Sequence, residues 1–283
     1  MPQLPTYLIA GAMRCGTTSL NAYLREHPEI SVGQPKEVHF FDENYERGTD
    51  WYLQHFPDSD ESRAVGEATP SYLYFPEVAE RIATTLPDVK ILLLLRDPVE
   101  RAHSHYWHNR SVGREKLDFA KAIASEPRRL EHSREDRARY SYLDRGRYGS
   151  QLENLLRFIP LERVLVQTFN ELTSDPTTVY RRTCQFLGVA DDYTPPIVGQ
   201  VTNAYVEYRS PRLRDVTKGF PRRLRNIVAL LNRKNSGPYE PMKQEAADLI
   251  RSETEEDNRL VTARTGIELP WLTADRQSSP EQG

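Results

Sequence analysis

Cysteine is scarce in this chain: there are two in 283 residues, Cys15 and Cys184, without the spacing of a metal site or a disulfide framework. A reduced, cytoplasmic setting is the expectation. Long apolar runs are also missing. The longest, Ile91 to Leu95, falls far short of a membrane span. Net charge is small, with 38 Lys and Arg against 41 Asp and Glu, or −3 overall, which argues against a general polyanion binder such as a nucleic-acid-coating protein. The opening Met1-Pro2-Gln3-Leu4-Pro5 has no charged region leading into an apolar stretch, so no secretory signal is expected. There is no internal repeat and no low-complexity segment.

The chain does hold enough apolar residues, 38%, for a full core, and its length suits one α/β domain with loop insertions, residues 1–283. Strand-like and helix-like patterns alternate. Strands are expected before Gly11, over 30–32, 64–67, 90–95 and 164–168. Helices are expected over 17–26, from a Thr49 cap to Phe56, and over 76–86, 98–110, 149–158, 175–187 and 241–264. Trp51, Tyr52 and Phe56 at helical spacing read as core. The run Lys90 to Leu95 is continuously apolar after its first residue, as for a central parallel strand covered on both faces. The pattern predicts a P-loop-type, doubly wound parallel sheet flanked by helices. The charge-rich stretch 126–147 reads as a surface insertion. The segment 199–240 is a basic cover for the nucleotide or acceptor site, with nine basic residues against the single acid Asp215 between Arg209 and Lys234.

The most telling stretch is Tyr7-Leu8-Ile9-Ala10-Gly11-Ala12-Met13-Arg14-Cys15-Gly16-Thr17-Thr18-Ser19-Leu20. Its strand, glycine turn and helix match the spacing of a phosphate loop, but Thr17 stands where an ATPase has Lys, and the cation has moved inside the loop to Arg14. Glycines let backbone N–H groups converge, and a helix start adds further N–H donors and the positive end of its dipole. By itself the loop is a phosphate site of any kind. A second anion site follows from Lys90 to Leu95, which ends in Arg96-Asp97-Pro98; a strand-end cation, with the Ser104 hydroxyl further along the next helix, suits an anion where a Mg²⁺-holding Asp would otherwise stand. A ligand phosphorylated at two positions would fill both. The third cluster, Gln34-Pro35-Lys36-Glu37-Val38-His39-Phe40-Phe41-Asp42, has no clear helix or strand period and reads as a functional loop. His105 and His108 lie on one helix, but no carboxylate completes a metal-ligand pattern there, so no metal is expected.

Taken in order, these three segments resemble the sulfotransferases that use 3′-phosphoadenosine-5′-phosphosulfate (PAPS), most closely the branch acting on heparan sulfate and its bacterial relatives. The resemblance covers most of the chain. It implies that Arg14, in place of the family's Lys, contacts the sulfuryl group. The loop from Arg14 and Cys15 through Gly16, Thr17, Thr18 and Ser19 would hold the 5′-phosphate, and Arg96 and Ser104 the 3′-phosphate. Glu37 would be the general base with His39 beside it. Asp42 would orient His39 or Arg14, and Ser71 and His108 would lie on the substrate side. A late loop that covers the nucleotide has its counterpart in Arg233 to Pro238, hence Lys234 and Gly237. Ala68 replaces a Lys common in heparan-type members, which weakens a heparan-like specificity. The resemblance further implies PAPS as cosubstrate and a small-molecule or glycan acceptor. The competing readings are a metal-dependent P-loop kinase, which requires the missing Lys and Mg²⁺ ligands, and a non-catalytic nucleotide binder, for which Glu37 would be dispensable.

Overall fold

The computed structural model describes residues 3–57, 62–200, 207–208, 233–234 and 241–273, the two dipeptides by their backbone alone. Five strands, β1 (Tyr7–Gly11), β2 (Ile30–Val32), β3 (Ala64–Ala68), β4 (Lys90–Leu95) and β5 (Val164–Thr168), form one sheet in the order β2-β3-β1-β4-β5. Every neighbouring pair is parallel. Successive side chains of a strand point to opposite faces, yet all five residues of β1 and of β3 are buried, so both faces of the sheet are covered. Glu207–Tyr208 and Arg233–Lys234 form a separate two-residue antiparallel ladder, β6 and β7.

The helices are α1 (Thr17–Arg25), α2 (Phe40–Glu43), α3 (Gly48–Leu53), α4 (Pro76–Thr85), α5 (Pro98–Ser111) and α6 (Phe119–His132), then α7 (Arg134–Tyr140), α8 (Tyr148–Leu156), α9 (Phe169–Ser174), α10 (Pro176–Leu187), α11 (Gln244–Thr265) and α12 (Pro270–Thr273). Local chemistry sets several boundaries. Asp97 caps α5 by accepting from the Val99 and Glu100 amides ahead of a first-turn Pro98, and Gly188 closes α10 in the left-handed conformation. A main core surrounds the sheet. A second cluster, in which Val99, Ala102, Tyr106, Ile123, Tyr142 and Ile250 pack, ties α5, α6 and α11 together.

Two expectations need correction. Thr49 does not cap a helix; it lies inside α3, which starts at Gly48 without a side-chain cap and stops at Leu53, short of Phe56. The stretch 126–147 is not merely solvated surface. Phe119, Ala122, Ile123 and Glu126 make the buried stripe of α6, so the three apolar members of that stripe lie just ahead of the charged segment. Glu126 accepts from the Leu143 and Asp144 amides, and buried Arg145 stacks 4.0 Å over the Tyr74 ring. Burial pushes the Glu126 carboxyl up to about 7 and draws Arg145 down to about 10.

Candidate active site

Central β1 delivers the glycine loop to the carboxyl end of the sheet, where open α/β sheets bind ligands. Gly16 takes φ +87° as the residue preceding α1, and a Cβ there would stand 2.6 Å from Leu172 Cδ2 and 2.9 Å from Phe169 Cδ2. Only glycine meets both demands. At the start of α1 the Ser19 amide donates to the Gly16 carbonyl at 3.0 Å, and the Thr17 and Thr18 amides are the helix-start donors with no carbonyl one turn back. Thr17 is buried while Thr18 and Ser19 are part-exposed. Cys15 turns inward, fully buried, with Sγ 3.8 Å from the Tyr148 hydroxyl, and burial raises its thiol pKa. Arg14 also adopts a positive φ, 72°, which a non-glycine residue holds only when its surroundings impose it.

The second anion-type site abuts the first. Arg14 Nε donates to Ser104 Oγ at 3.2 Å, linking the loop after β1 to the helix after β4. Arg96 is part-exposed at the end of β4, its guanidinium 4.5 Å over the Phe169 ring and its Nε donating to Glu100 at 3.0 Å. Its carbonyl accepts from the Tyr148 hydroxyl at 2.8 Å, so one phenol braces both the Arg96 backbone and the Cys15 thiol. His108 follows Ser104 by one helical turn.

The third cluster docks on the neighbouring strand. The Glu37 amide donates to the Ala68 carbonyl at 3.1 Å, and Ala68 pairs with Ile9 of β1. Glu37 and His39 both sit at positive φ, 63° and 54°. The Glu37 carboxylate meets Lys36 Nζ at 2.5 Å and His39 Nε2 at 3.7 Å, while His39 Nδ1 lies 2.9 Å from Asp42 Oδ2. Asp42 is buried, and its Oδ2 also accepts from Ser71. Burial raises the Glu37 pKa, but the His39 imidazole 3.7 Å away and the Lys36 charge outweigh it and bring the carboxyl down to about 2. For His39, burial acts to lower the pKa, yet the hydrogen bond to Asp42 and the nearby Glu37 carboxylate raise it to about 10. His39, Asp42 and Glu43 also offer cation-ligand atoms within 4.8 Å of one another, but Asp42 Oδ2 is already engaged by His39 and Ser71, an ion-pair network as it stands.

A family model described as a sulfotransferase domain matches residues 4–210. The chain belongs to the sulfotransferase family. Among similar proteins, the human bifunctional heparan sulfate N-deacetylase/N-sulfotransferase 3 is 34% identical over 202 residues, which cover 68% of this chain and 23% of the relative. The mouse heparan sulfate glucosamine 3-O-sulfotransferase 3A1 is 35% identical over 193 residues, covering 66% of this chain and 46% of the relative. The chain thus spans less than half the length of either. The crystal structure of a sulfotransferase from Alicyclobacillus acidocaldarius superposes with a TM-score of 0.73 at 29% identity, covering 95% of this chain and 99% of that one.

Within this member of the sulfotransferase family, the sequence-selected residues fall into two connected groups. Arg14 and Ser104 touch, and Glu37, His39, Asp42 and Ser71 form one chain of contacts. Of the two partners considered for Asp42, His39 is the one it bonds; Arg14 turns to Ser104. Of the 199–240 basic segment, 201–206, 209–232 and 235–240 lie outside the described residues, Gly237 among them, and of Lys234 only the backbone is described. Sequence reasoning passed over several supporting groups. Arg134 donates to the Asp42 carbonyl at 2.8 Å from α7 and stacks 4.0 Å over Phe75, and Glu67, Thr69 and Tyr72 sit beneath the Glu37 loop. Nothing in the charge pattern of 126–147 marked Arg134, whereas Glu67, a lone acid within an otherwise apolar strand, was a usable signal. No helix among the described residues is long and apolar enough to cross a membrane.

Proposed function

We propose that this protein transfers a sulfuryl group from PAPS to a hydroxyl or amine of a carbohydrate, glycolipid or natural-product acceptor, by in-line displacement with Glu37 as general base. The observation that carries the reading is the Arg14–Ser104 contact, which makes one continuous surface of two anion-type sites with a carboxylate-bearing loop docked on the adjacent strand. The helix start at Gly16 to Ser19 suits a 5′-phosphate, and Arg96 with Ser104 a 3′-phosphate. With Nε engaged by Ser104, the Nη edge of the Arg14 fork is the part available to the sulfuryl oxygens.

In the reaction the acceptor oxygen or nitrogen forms a bond to sulfur, the bond from sulfur to the bridging oxygen breaks, and 3′-phosphoadenosine-5′-phosphate leaves. The acceptor proton passes to Glu37. A carboxylate held near pKa 2 is ionised at any working pH but is a weak base, so the proton moves late, once bonding to sulfur has acidified it. Arg14 meets the charge that develops on the leaving oxygen. A sulfuryl group carries less charge than a γ-phosphoryl, which fits a site whose strand-end residue is a cation. The mammalian relatives are named for heparan sulfate, one for sulfation at nitrogen and one at the 3-oxygen, and this supports a glycan as acceptor class. Ala68 stands against a heparan-specific site.

The test is binding of PAPS, 3′-phosphoadenosine-5′-phosphate and ATP, each measured by calorimetry without metal and again with Mg²⁺. Tight binding of the two 3′-phosphorylated nucleotides is expected. Tight ATP binding that depends on Mg²⁺, with none to the others, would overturn the reading in favour of a kinase.

A further inference from the structure

We infer that Glu67 is a positioning residue for the base: through the hydroxyls of Thr69 and Tyr72 it holds the backbone of the Glu37–Asp42 segment in its working geometry. This rests on Glu37 being the base. Glu67 is wholly buried near the end of β3, and its described hydrogen bonds all come from hydroxyl groups. Tyr72 donates to Oε1 at 2.7 Å, Tyr52 to Oε1 at 3.3 Å, and Thr69 to Oε2 at 2.6 Å.

A hydroxyl can donate one bond while accepting others, and a free one rotates between the two uses. Glu67 in its ionised form removes that choice, because a carboxylate only accepts, and the three hydroxyls gathered on its two oxygens favour that form against burial. Thr69 and Tyr72 must therefore turn their hydrogens toward Glu67 and their lone pairs the other way. Those lone pairs meet two amides of the base loop: His39 N–H donates to Thr69 Oγ1 at 3.4 Å, and Phe40 N–H to the Tyr72 hydroxyl at 2.9 Å. The two amides flank the strained His39 and follow the strained Glu37. Positive-φ residues other than glycine persist only where their surroundings over-determine them, and this relay supplies two of the constraints. The third, Glu37 N–H to the Ala68 carbonyl, comes from the residue adjacent to Glu67. One side chain thus sets the direction of both hydroxyl links without itself touching Glu37 or the acceptor. Burial raises the Glu67 pKa, the hydrogen bonds from Thr69 and Tyr72 act against that, and of the charged groups that bear on it Asp42 raises it further while His39 lowers it, both being members of the cluster it supports.

The discriminating variant is Glu67→Gln, which keeps the shape but puts an NH₂ against hydroxyls that now all donate, so at least one must turn round. Turnover is expected to fall roughly 10- to 100-fold through misplacement of Glu37. The KM for PAPS should stay unchanged, since the glycine loop and Arg96 lie outside the relay. In an NMR titration the His39 midpoint should drop from about 10 toward its ordinary 6.5 as the contacts with Glu37 and Asp42 loosen, a change that simple loss of stability in a folded variant would not produce. A folded variant with wild-type turnover and an unshifted His39 overturns the inference. If Glu67→Gln does not fold, Tyr72→Phe and Thr69→Val each remove one link. Each should lower turnover with the PAPS KM unchanged, and normal turnover in both overturns the inference. Glu37→Gln with normal turnover would remove the base reading instead, while the His39 titration in Glu67→Gln still reports whether Glu67 holds the loop.

Discussion

The glycine loop follows β1 and the base loop follows β2 and docks on β3 between them, yet the two are built differently. The first rests chiefly on backbone: a glycine turn, helix-start amides, and a φ that Gly16 adopts without strain, with Arg14 at φ 72° its strained residue and its side-chain link to Ser104. The second is made of side chains. Glu37 and His39 occupy positive φ against their own preference and are held by hydroxyls, an imidazole–carboxylate pair and the Ser71 bond to Asp42. A site made of backbone tolerates most side-chain exchanges but not a change of glycine. A site made of side chains is sensitive at every link, and its chemistry can be tuned link by link.

The sharpest break of this contrast is Glu37→Gln, which should cut sulfuryl transfer by a factor on the order of 10²–10⁴ while PAPS affinity is unchanged. Steady-state kinetics beside calorimetry would check it, and equal loss of both would mean that the two loops do not act separately. On the backbone side, Gly16→Ala adds a Cβ within 3 Å of Leu172 and Phe169 at a strained φ. It should cost roughly 1–3 kcal/mol in a denaturant melt and weaken nucleotide binding as well. Ser104→Ala is milder: affinity for a 3′-phosphorylated nucleotide should fall about tenfold, the worth of one hydrogen bond to a charged group, with no change for the nucleotide lacking that phosphate. Equal loss for both nucleotides would place the 3′-phosphate elsewhere.

The same contrast governs what could be read from sequence. Gly11 and Gly16 mark the loop because glycine at fixed spacing has few other reasons to be there, and the apolar run Ile91 to Leu95 marks the central strand that ends at Arg96. Where elements were expected their positions followed to within a few residues, apart from the Thr49 helix, which starts at Gly48 after the turn at Tyr45–Arg47 and without a side-chain cap; the larger miss is α6 and α7, two helices in and beside the stretch read as a surface insertion. Positive φ at Arg14, Glu37 and His39 left no trace, since these residue types do not declare it. Glu126 and Arg145 read as solvated because charge normally means exposure, and only their partners, two amides and an aromatic face, make burial tolerable. Glu67 was visible as a residue, but its role depends on which way hydroxyls point, a three-dimensional fact.

The smallest expected effect tests the electrostatic half of the base loop. The folded pKa of Glu37 is lowered from 4.5 to about 2, so its stabilisation is complete above about 4.5 and is lost as pH falls through about 2. His39 is raised from 6.5 to about 10, so its contribution is complete below about 6.5 and fades as pH rises through about 10. The two together predict a plateau between about 4.5 and 6.5 with a decline on either side. The Glu37 side chain is 43% exposed, so water screens its pair with His39 and that link contributes no more than about 1 kcal/mol. Comparing melting temperature against pH in the wild type and in His39→Gln isolates the term: the alkaline decline between about 6.5 and 10 should flatten in the variant, whereas Arg14→Met, in the backbone-built site, should leave it intact. Parallel curves for wild type and His39→Gln would mean that the imidazole is not charged in the folded protein, and Glu37 would then be a stronger base than its present contacts make it.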